Sequence, residues 1–125
     1  MKIMSPDFIT EAAISNTKKL KVLIVGAGGT GSELASKLLK MHITMKALGG
    51  AGLDLTIMDD DVVSPSNVGR QNFYGFDVNQ PKAAVIVNRF NNFAGTDWKA
   101  SIRKFDQRLK LDNCLVFGCV DNAKG

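Results

Sequence analysis

The chain has 125 residues, 45% of them hydrophobic and 22% charged, and its formal net charge is +4 at pH 7. This composition is typical of one soluble globular domain: it is too apolar for a disordered chain, and no apolar run approaches the roughly 20 residues that a membrane helix needs. The basic residues are spread along the chain instead of clustering on one element, which argues against nucleic-acid binding.

The first 20 residues are expected to form an N-terminal arm with one short helix, because Ser5–Pro6 and residues 15–17 interrupt regular structure. The segment lacks the apolar core of a secretory signal, so we expect a cytoplasmic protein. The main domain is expected over residues 21–125. Its first strand is predicted at Lys21–Val25, whose short aliphatic run is typical of a central strand in a parallel sheet.

A glycine-rich turn follows this strand. Gly26, Gly28 and Gly31 match the pattern G-x-G-x-x-G, and Gly29 adds a fourth glycine. Glycine permits a tight turn and lets backbone N–H groups approach a phosphate, which the N-terminus of the next helix also attracts. The pattern favours nucleotide binding, with a plain structural turn as the alternative.

The helix after the turn is predicted from apolar residues at helical spacing, and it ends near Gly49–Gly50. It contains His42, which we interpret as a partly buried structural residue. A metal site would need further ligands, and no cysteine or carboxylate accompanies this histidine.

The second strand is predicted at Leu53–Met58 and is followed by three aspartates. A carboxylate at this strand end is placed to accept ribose hydroxyls, so Asp59 is a candidate nucleotide-binding residue. Asp61 is a second candidate, because its side chain projects to the same side as that of Asp59 if the strand continues. A solvated acidic loop is the alternative, and the distance from Gly26 to Asp59 does not by itself exclude NAD.

The loop after the aspartates carries the polar sequence S-N-V-G-R-Q, which contains Asn67, Arg70 and Gln71. An arginine in a loop beyond the carboxyl end of a strand is placed to meet phosphates. We therefore include all three residues in the candidate site.

A second helix is predicted with Asn79 as its cap and Pro81 in its first turn, and it ends at Gly95. Lys82 also falls in the first turn, where a cation opposes the helix dipole by roughly 0.3–1 kcal/mol. A bound phosphate explains such a cation, and a surface lysine is the alternative. The apolar stripe of this helix is predicted to comprise Ala83, Ile86, Val87, Phe90 and Phe93.

Two more strands are predicted, at Trp98–Phe105 and Cys114–Val120. Cys114 and Cys119 lack a CxxC pattern and are expected to be buried free thiols. Asp121 follows the last strand at the same sheet edge, where it suits either a magnesium ion or the N-terminus of a next helix. The alternation predicts a Rossmann-like, doubly wound, mainly parallel α/β sheet, truncated after strand 114–120 because a covering helix is expected next.

Five motifs occur in order: G-A-G-G-T-G-S, D-D-D, S-N-V-G-R-Q, Q-P-K and C-V-D-N. Together they resemble the ThiF/MoeB adenylating family, which includes the ubiquitin-activating enzymes. The resemblance runs from Lys21 to nearly the end of the chain and is far more specific than the glycine turn alone. The N-V-G-R-Q motif and the long segment before the second strand resemble, more narrowly, the ThiF-related proteins of the PRTRC plasmid cassette.

The resemblance implies a nucleotide pocket shaped by Gly26, Gly28 and Gly29, with Asp59 on the ribose hydroxyls and Asp121 holding Mg²⁺. It implies ATP as the nucleotide and a homodimer as the assembly. It also implies a reaction: the carboxylate of a ubiquitin-like or sulfur-carrier protein attacks the α-phosphorus, and pyrophosphate leaves an acyl-adenylate.

The same resemblance places Asn67, Arg70 and Lys82 on the triphosphate. One departure is that residues 1–20 contain no arginine, although the family often supplies one from a partner's N-terminal arm. Two other classes of protein stay open, an NAD-dependent oxidoreductase and a non-catalytic nucleotide-binding subunit. The joint presence of Arg70, Lys82 and Asp121 favours the adenylating enzyme over both.

Overall fold

The computed structural model describes residues 19–106 and 114–119. This part of the chain forms an α/β structure with two further single-turn 3-10 helices at Pro65–Asn67 and Gly75–Asp77. The main elements are β1 (Leu20–Val25), α1 (Gly29–Ala47), β2 (Leu53–Met58), α2 (Lys82–Ala94), β3 (Lys99–Ser101) and β4 (Cys114–Gly118).

The four strands form one parallel sheet in the order β3-β2-β1-β4. Val22 lies opposite Leu55 on one side and opposite Leu115 on the other, so β1 is the central strand that joins the two halves. The strand order reverses between β1 and β4, as in a doubly wound sheet. Open α/β sheets bind ligands at such a reversal, beyond the carboxyl ends of the strands. The predicted Rossmann-like parallel fold is confirmed.

The two faces of the sheet are covered differently. Alternate residues of β1 and β2, such as Ile24 and Ile57, share the main core cluster with residues of both α1 and α2. Both helices therefore pack on the same face, where the largest area of apolar surface is removed from water. On the other face Leu23, Val25 and Met58 form a second, smaller buried cluster.

Helix α1 buries the face that the helical spacing predicted, including Leu38, His42 and Met45. His42 is structural, as predicted: its Nδ1 accepts a hydrogen bond from the Leu53 N–H group (2.9 Å). The helix ends just before Gly49, whose φ of 90° only glycine adopts easily.

The start of α2 differs from the prediction. Pro81, not Asn79, is the N-cap residue, and Lys82 is the first helical residue. Asn79 instead has a left-handed φ of 73°, and its N–H group donates to the Val63 carbonyl (2.8 Å). Asparagine tolerates this conformation, so it serves the tight turn before the helix better than it would cap the helix.

Phe93 was predicted to be a core residue, which is wrong: 80% of its surface is exposed. Phe90 does pack against the core, as does Ala94. Phe93 lies at the edge of the apolar stripe, because Ala94 takes the inward position in the last turn of α2.

The later strands are shorter than predicted. The sheet keeps only Lys99–Ser101 of the third predicted strand, and Trp98 is buried with its indole N–H donating to the Leu53 carbonyl (3.3 Å). The fourth strand ends at Gly118. The predicted N-terminal arm up to residue 18, Val120 and Asp121 lie outside the described residues. Within residues 19–106 and 114–119, no helix combines the length and apolarity needed to cross a membrane.

Candidate nucleotide-binding site

A cleft of about 950 Å³ opens beyond the carboxyl ends of the strands, where the strand order reverses. Its size lies within the range of small-molecule sites. It brings together most of the residues predicted from the sequence, namely Gly26, Gly28, Gly29, Asp59, Asp61, Arg70, Gln71 and Lys82.

The glycine turn forms one wall of the cleft, and its glycines have different roles. Gly26 has a φ of 111°, and its N–H group donates to the Met58 carbonyl (2.8 Å), which ties the turn to β2. Gly31 lies beneath the turn, where a Cβ atom would overlap the Gly26 carbonyl. A Cβ at Gly29 would meet nothing within 4 Å. Gly26 and Gly31 therefore shape the turn, while Gly29 leaves space above it.

Asp59 holds the turn and the start of the next loop together. One of its carboxylate oxygens accepts the Ala27 N–H group and the other accepts the Asp61 N–H group, both at 2.7 Å. The side chain is thereby fixed at the end of β2, and the position predicted for a ribose-binding carboxylate lies in the cleft. Asp60 and Asp61 are exposed beside it.

Lys82 projects into the cleft from the first turn of α2, although only 11% of its side chain is exposed. Its Nζ donates to the Gln71 side-chain oxygen (3.2 Å) and lies 4.0 Å from an Asp61 oxygen. Burying a lysine side chain and ordering its long stem costs free energy unless the charge has partners. A buried cation at a helix N-terminus, pointing into a cleft, is well placed for an anionic ligand.

Two loop residues predicted together lie in different places. Arg70 is exposed and lines the cleft. Asn67 is not among the lining residues; its side-chain oxygen accepts the Ser64 N–H group (2.8 Å), and its carbonyl accepts the N–H groups of Arg70 and Gln71. Asn67 thus shapes the loop that presents Arg70 and Gln71, and its predicted contact with the triphosphate stays a prediction.

The sequence analysis missed the contribution of the segment just after β3 to the cleft, which is lined there by Arg103, Lys104 and Phe105. Arg103 and Lys104 were grouped with the dispersed basic residues, and Phe105 was placed within a longer strand. A signal was available, because Arg-Lys-Phe forms the carboxyl end of the predicted strand Trp98–Phe105, at the same sheet edge as Asp59.

The cysteines are only half-buried, in contrast to the buried thiols that were expected, and both are free. Burial raises the pKa of the Cys119 thiol, and burial likewise raises the pKa of Cys114. Cys119 lines the cleft next to Gly118. Because the thiolate is the nucleophilic form, a raised pKa disfavours covalent chemistry at this residue.

The magnesium ligand predicted at Asp121 lies outside the described residues. Asp59, Asp60 and Asp61 have oxygens within 4.8 Å of one another. Both Asp59 oxygens, however, already accept backbone hydrogen bonds. These bonds make the three aspartates a less suitable Mg²⁺ site. The assignment of Mg²⁺ to Asp121 stays a prediction.

Solved structures share this fold. The structure of E. coli MccB with ATP matches 80% of this chain and 27% of its own, with a TM-score of 0.56 and 22% sequence identity. The structure of PaaA matches 79% of this chain and 28% of its own, with a TM-score of 0.54 and 23% identity. At this level of identity the likeness establishes the fold.

Sequence relatives are more similar. The adenylyltransferase and sulfurtransferase UBA4 of Yarrowia lipolytica is 35% identical over 94 residues, which span 72% of this chain and 21% of the relative. The ubiquitin-activating enzyme E1-like protein of Saccharomyces cerevisiae is 29% identical over 121 residues, or 91% of this chain and 18% of the relative. The chain thus spans about a fifth of the length of these relatives. The model of the ThiF family matches residues 2–123, and the chain belongs to that family.

Proposed function

We propose that the cleft binds ATP and that the protein uses it to adenylate a carboxylate, the C-terminus of a ubiquitin-like or sulfur-carrier protein. The observation that carries the proposal is the placement of Lys82, a buried cation that faces the glycine turn across Gln71. The names of the relatives support the same activity, since they include an adenylyltransferase and ubiquitin-activating enzymes.

The cleft residues suit the parts of a nucleoside triphosphate. The turn at Gly28 and Gly29 and the start of α1 suit a phosphate, because backbone N–H groups and the helix dipole favour an anion there. Arg70 and Lys82 supply positive charge to the remaining phosphates. Asp59 suits the ribose hydroxyls. Asp121 is proposed as a ligand for the accompanying Mg²⁺.

The reaction needs positioning more than covalent work by the protein. An oxygen of the ionised carboxylate attacks the α-phosphorus, the bond from that phosphorus to the bridging oxygen breaks, and pyrophosphate leaves. No proton has to move, because the attacking carboxylate is already ionised. Arg70 and Lys82 stabilise the negative charge that develops on the phosphate oxygens. The proposal includes pairing of two copies of the chain and a cytoplasmic location, both as expected from the sequence.

An NAD-dependent oxidoreductase is the competing function. A dinucleotide needs the glycine turn and the carboxylate after β2, but its diphosphate bridge carries less negative charge than a triphosphate, so two further cations at Arg70 and Lys82 suit it less well. Their presence favours a triphosphate. A non-catalytic subunit would have no need of this arrangement either.

Pyrophosphate exchange into ATP tests the proposal. We expect exchange that depends on a ubiquitin-like or sulfur-carrier protein with a free C-terminal Gly-Gly carboxylate, and no exchange when the same carrier ends in an amide. The Arg70→Ala and Lys82→Ala variants should each slow exchange by about 30- to 1000-fold, from a loss of roughly 2–4 kcal/mol of transition-state stabilisation. Equal exchange with the amidated carrier, or unchanged rates in both variants, would contradict the proposal.

A further inference from the structure

We propose that Asn72 is a positioning residue for the triphosphate, because it holds the loop that carries Arg70 and Gln71 against the first turn of α1. The inference rests on the proposed function, since it assumes that phosphates lie between that loop and the glycine turn. Asn72 is not among the residues that line the cleft, so its effect on a ligand passes through its neighbours in the chain.

The loop passes from the cleft to the core within two residues. Gln71 lines the cleft, whereas Phe73 is buried in the main core cluster. Asn72 lies between them with a φ of 66°, in the left-handed region, which asparagine adopts more readily than most residues. The Gly69 N–H group donates to the Phe73 carbonyl (3.0 Å), which closes the loop behind Arg70. The orientation of this closed loop therefore depends on what holds Asn72.

The side chain of Asn72 holds the loop to α1. Its Nδ2 donates a hydrogen bond to the Ser32 Oγ (3.1 Å). Ser32 is buried in the first turn of α1, and its Oγ in turn donates to the Gly29 carbonyl (3.1 Å). Gly29 lines the cleft. Two hydrogen bonds in series thus connect the loop to the glycine turn that is proposed to bind a phosphate.

The backbone of Asn72 is held by α2. One terminal nitrogen of Arg89 donates to the Asn72 carbonyl (2.7 Å), and the other donates to the Asp77 carboxylate (2.8 Å). Asp77 is buried, and the same oxygen also accepts the Tyr74 N–H group (2.8 Å). Because a guanidinium presents its donors in a rigid planar fork, Arg89 fixes the direction of the Asn72 carbonyl. The left-handed conformation of Asn72 is therefore set from outside the loop.

The residues just before Asn72 are the ones that face the proposed phosphates. The Gln71 side-chain oxygen accepts the Lys82 Nζ (3.2 Å) and lies 3.5 Å from where a Cβ on Gly28 would stand. Arg70 is exposed one residue earlier. A loop that could tilt would displace Arg70 and Gln71 together and would loosen the placement of Lys82. Contacts with a transferring phosphate are sensitive to such displacements, since a shift of about 1 Å can cost about 100-fold in rate.

Calorimetric titration of the Asn72→Gly variant with MgATP and with AMP tests this role. Glycine removes the hydrogen bond to Ser32 but adopts the left-handed backbone freely. The Kd of MgATP should rise about three- to tenfold, as expected for one lost hydrogen bond. The Kd of AMP should change by less than about twofold, because AMP lacks the phosphates that Arg70 and Lys82 are proposed to meet.

The Ser32→Ala variant removes the other partner of the same hydrogen bond. It should weaken MgATP binding to a similar extent, and it tests the bond even if Asn72→Gly does not fold. In an Arg70→Ala/Gln71→Ala background, Asn72→Gly should change the Kd of MgATP by less than about twofold, since the residues it positions are absent.

Asn79→Gly is the matched control. Asn79 is exposed and has a similar left-handed φ of 73°, and within residues 19–106 and 114–119 its side chain has no hydrogen-bond partner. The same substitution is therefore made in the same backbone conformation, without the loss of a side-chain hydrogen bond. We expect Asn79→Gly to bind MgATP as the unmodified protein does.

The outcomes separate a positioning role from a general effect on the fold. An equal loss of affinity for MgATP and AMP would overturn the inference, as would an undiminished effect of Asn72→Gly in the Arg70→Ala/Gln71→Ala background. Unchanged MgATP affinity in both Asn72→Gly and Ser32→Ala would also overturn it, yet would leave the proposed function standing. If the unmodified protein binds no MgATP at all, both the inference and the proposed function fail.

Discussion

At the scale of single residues, the charged side chains in and near the cleft are held in place by hydrogen-bond and ion-pair partners. Asp77 is buried and pairs with Arg89 at 2.8 Å, Asp59 is held by two backbone N–H groups, and Lys82 is placed by Gln71. Such partners offset the cost of removing polar groups from water. They also fix the side chains that face the cleft before any ligand arrives, which lowers the cost of binding.

His42 is the residue whose titration should be visible in stability. Burial lowers its pKa, and the nearby Lys46 and Lys19 lower it further, against a smaller opposite effect of Asp97. Its Nδ1 accepts the Leu53 N–H group, so a proton on that nitrogen would face another donor. Because the pKa is lower in the folded state than in the unfolded chain, the stabilisation is complete above about pH 6.5 and is lost as the pH falls.

Urea unfolding at pH 7.5 and pH 5 measures this effect. The His42→Gln variant keeps an acceptor but does not titrate, so its free energy of unfolding should fall less between the two pH values than that of the unmodified protein. All other titratable groups are the same in both proteins, so their contributions cancel in the comparison. An identical fall in both would show that His42 carries no pH dependence.

Residue identities at the site were predictable in proportion to how strongly chemistry restricts them. Few roles other than ligand binding explain a glycine turn, a carboxylate at a strand end or a lysine at a helix start. Residues of these three kinds were therefore predicted as site residues, and Gly28, Asp59 and Lys82 do line the same cleft. Arg103 and Lys104 have many explanations as surface cations, so only the fold places them at the site. The contact of Asn67 with a ligand stays a prediction; its side-chain oxygen accepts the Ser64 N–H group within its own loop.

At the scale of elements, the joint between β1 and α1 depends on close backbone approach. A Cβ at Gly31 would overlap the carbonyl of Gly26 and would also lie 3.5 Å from the Cys119 Cβ atom. A carbonyl that belongs to the turn cannot move away without distorting it. The distance to Cys119 is an ordinary contact, so the overlap with Gly26 decides: the first turn of α1 can lie this close to the turn after β1 only if residue 31 has no side chain.

Two alanine variants test this joint. Gly31→Ala should lower the free energy of unfolding by about 1–3 kcal/mol, the usual cost of overpacking. Gly29→Ala is the matched control, since its Cβ would enter open space and alanine favours the helix. Urea unfolding that gives equal stabilities for the two variants would contradict this account of the turn.

Element boundaries were less predictable than element types. The apolar run at Leu53–Met58 became a strand with the expected ends. The run from Trp98 did not, because only Lys99–Ser101 pairs with β2 and the chain then leaves the sheet to line the cleft. Alternation in a sequence indicates extended backbone, but pairing depends on where the neighbouring strand ends.

At the scale of the whole molecule, the parallel sheet is what assembles the site. Its strand order brings together residues from the turn after β1, the loops after β2 and β3, and the start of α2. Residues more than 70 positions apart, such as Gly26 and Lys104, thus share one cleft. The alternation of strands and helices was sufficient to predict this convergence, because the carboxyl ends of parallel strands meet at one edge.

The most direct test of the central claim, a triphosphate site and not a dinucleotide site, is calorimetric titration of the protein with MgATP and with NAD. MgATP should bind more tightly than NAD, and Lys82→Ala should weaken MgATP binding at least about tenfold, from the loss of a charged hydrogen bond of roughly 1.5–3 kcal/mol. NAD binding tighter than MgATP, or a Lys82→Ala variant that binds MgATP as tightly as the unmodified protein, would contradict the account.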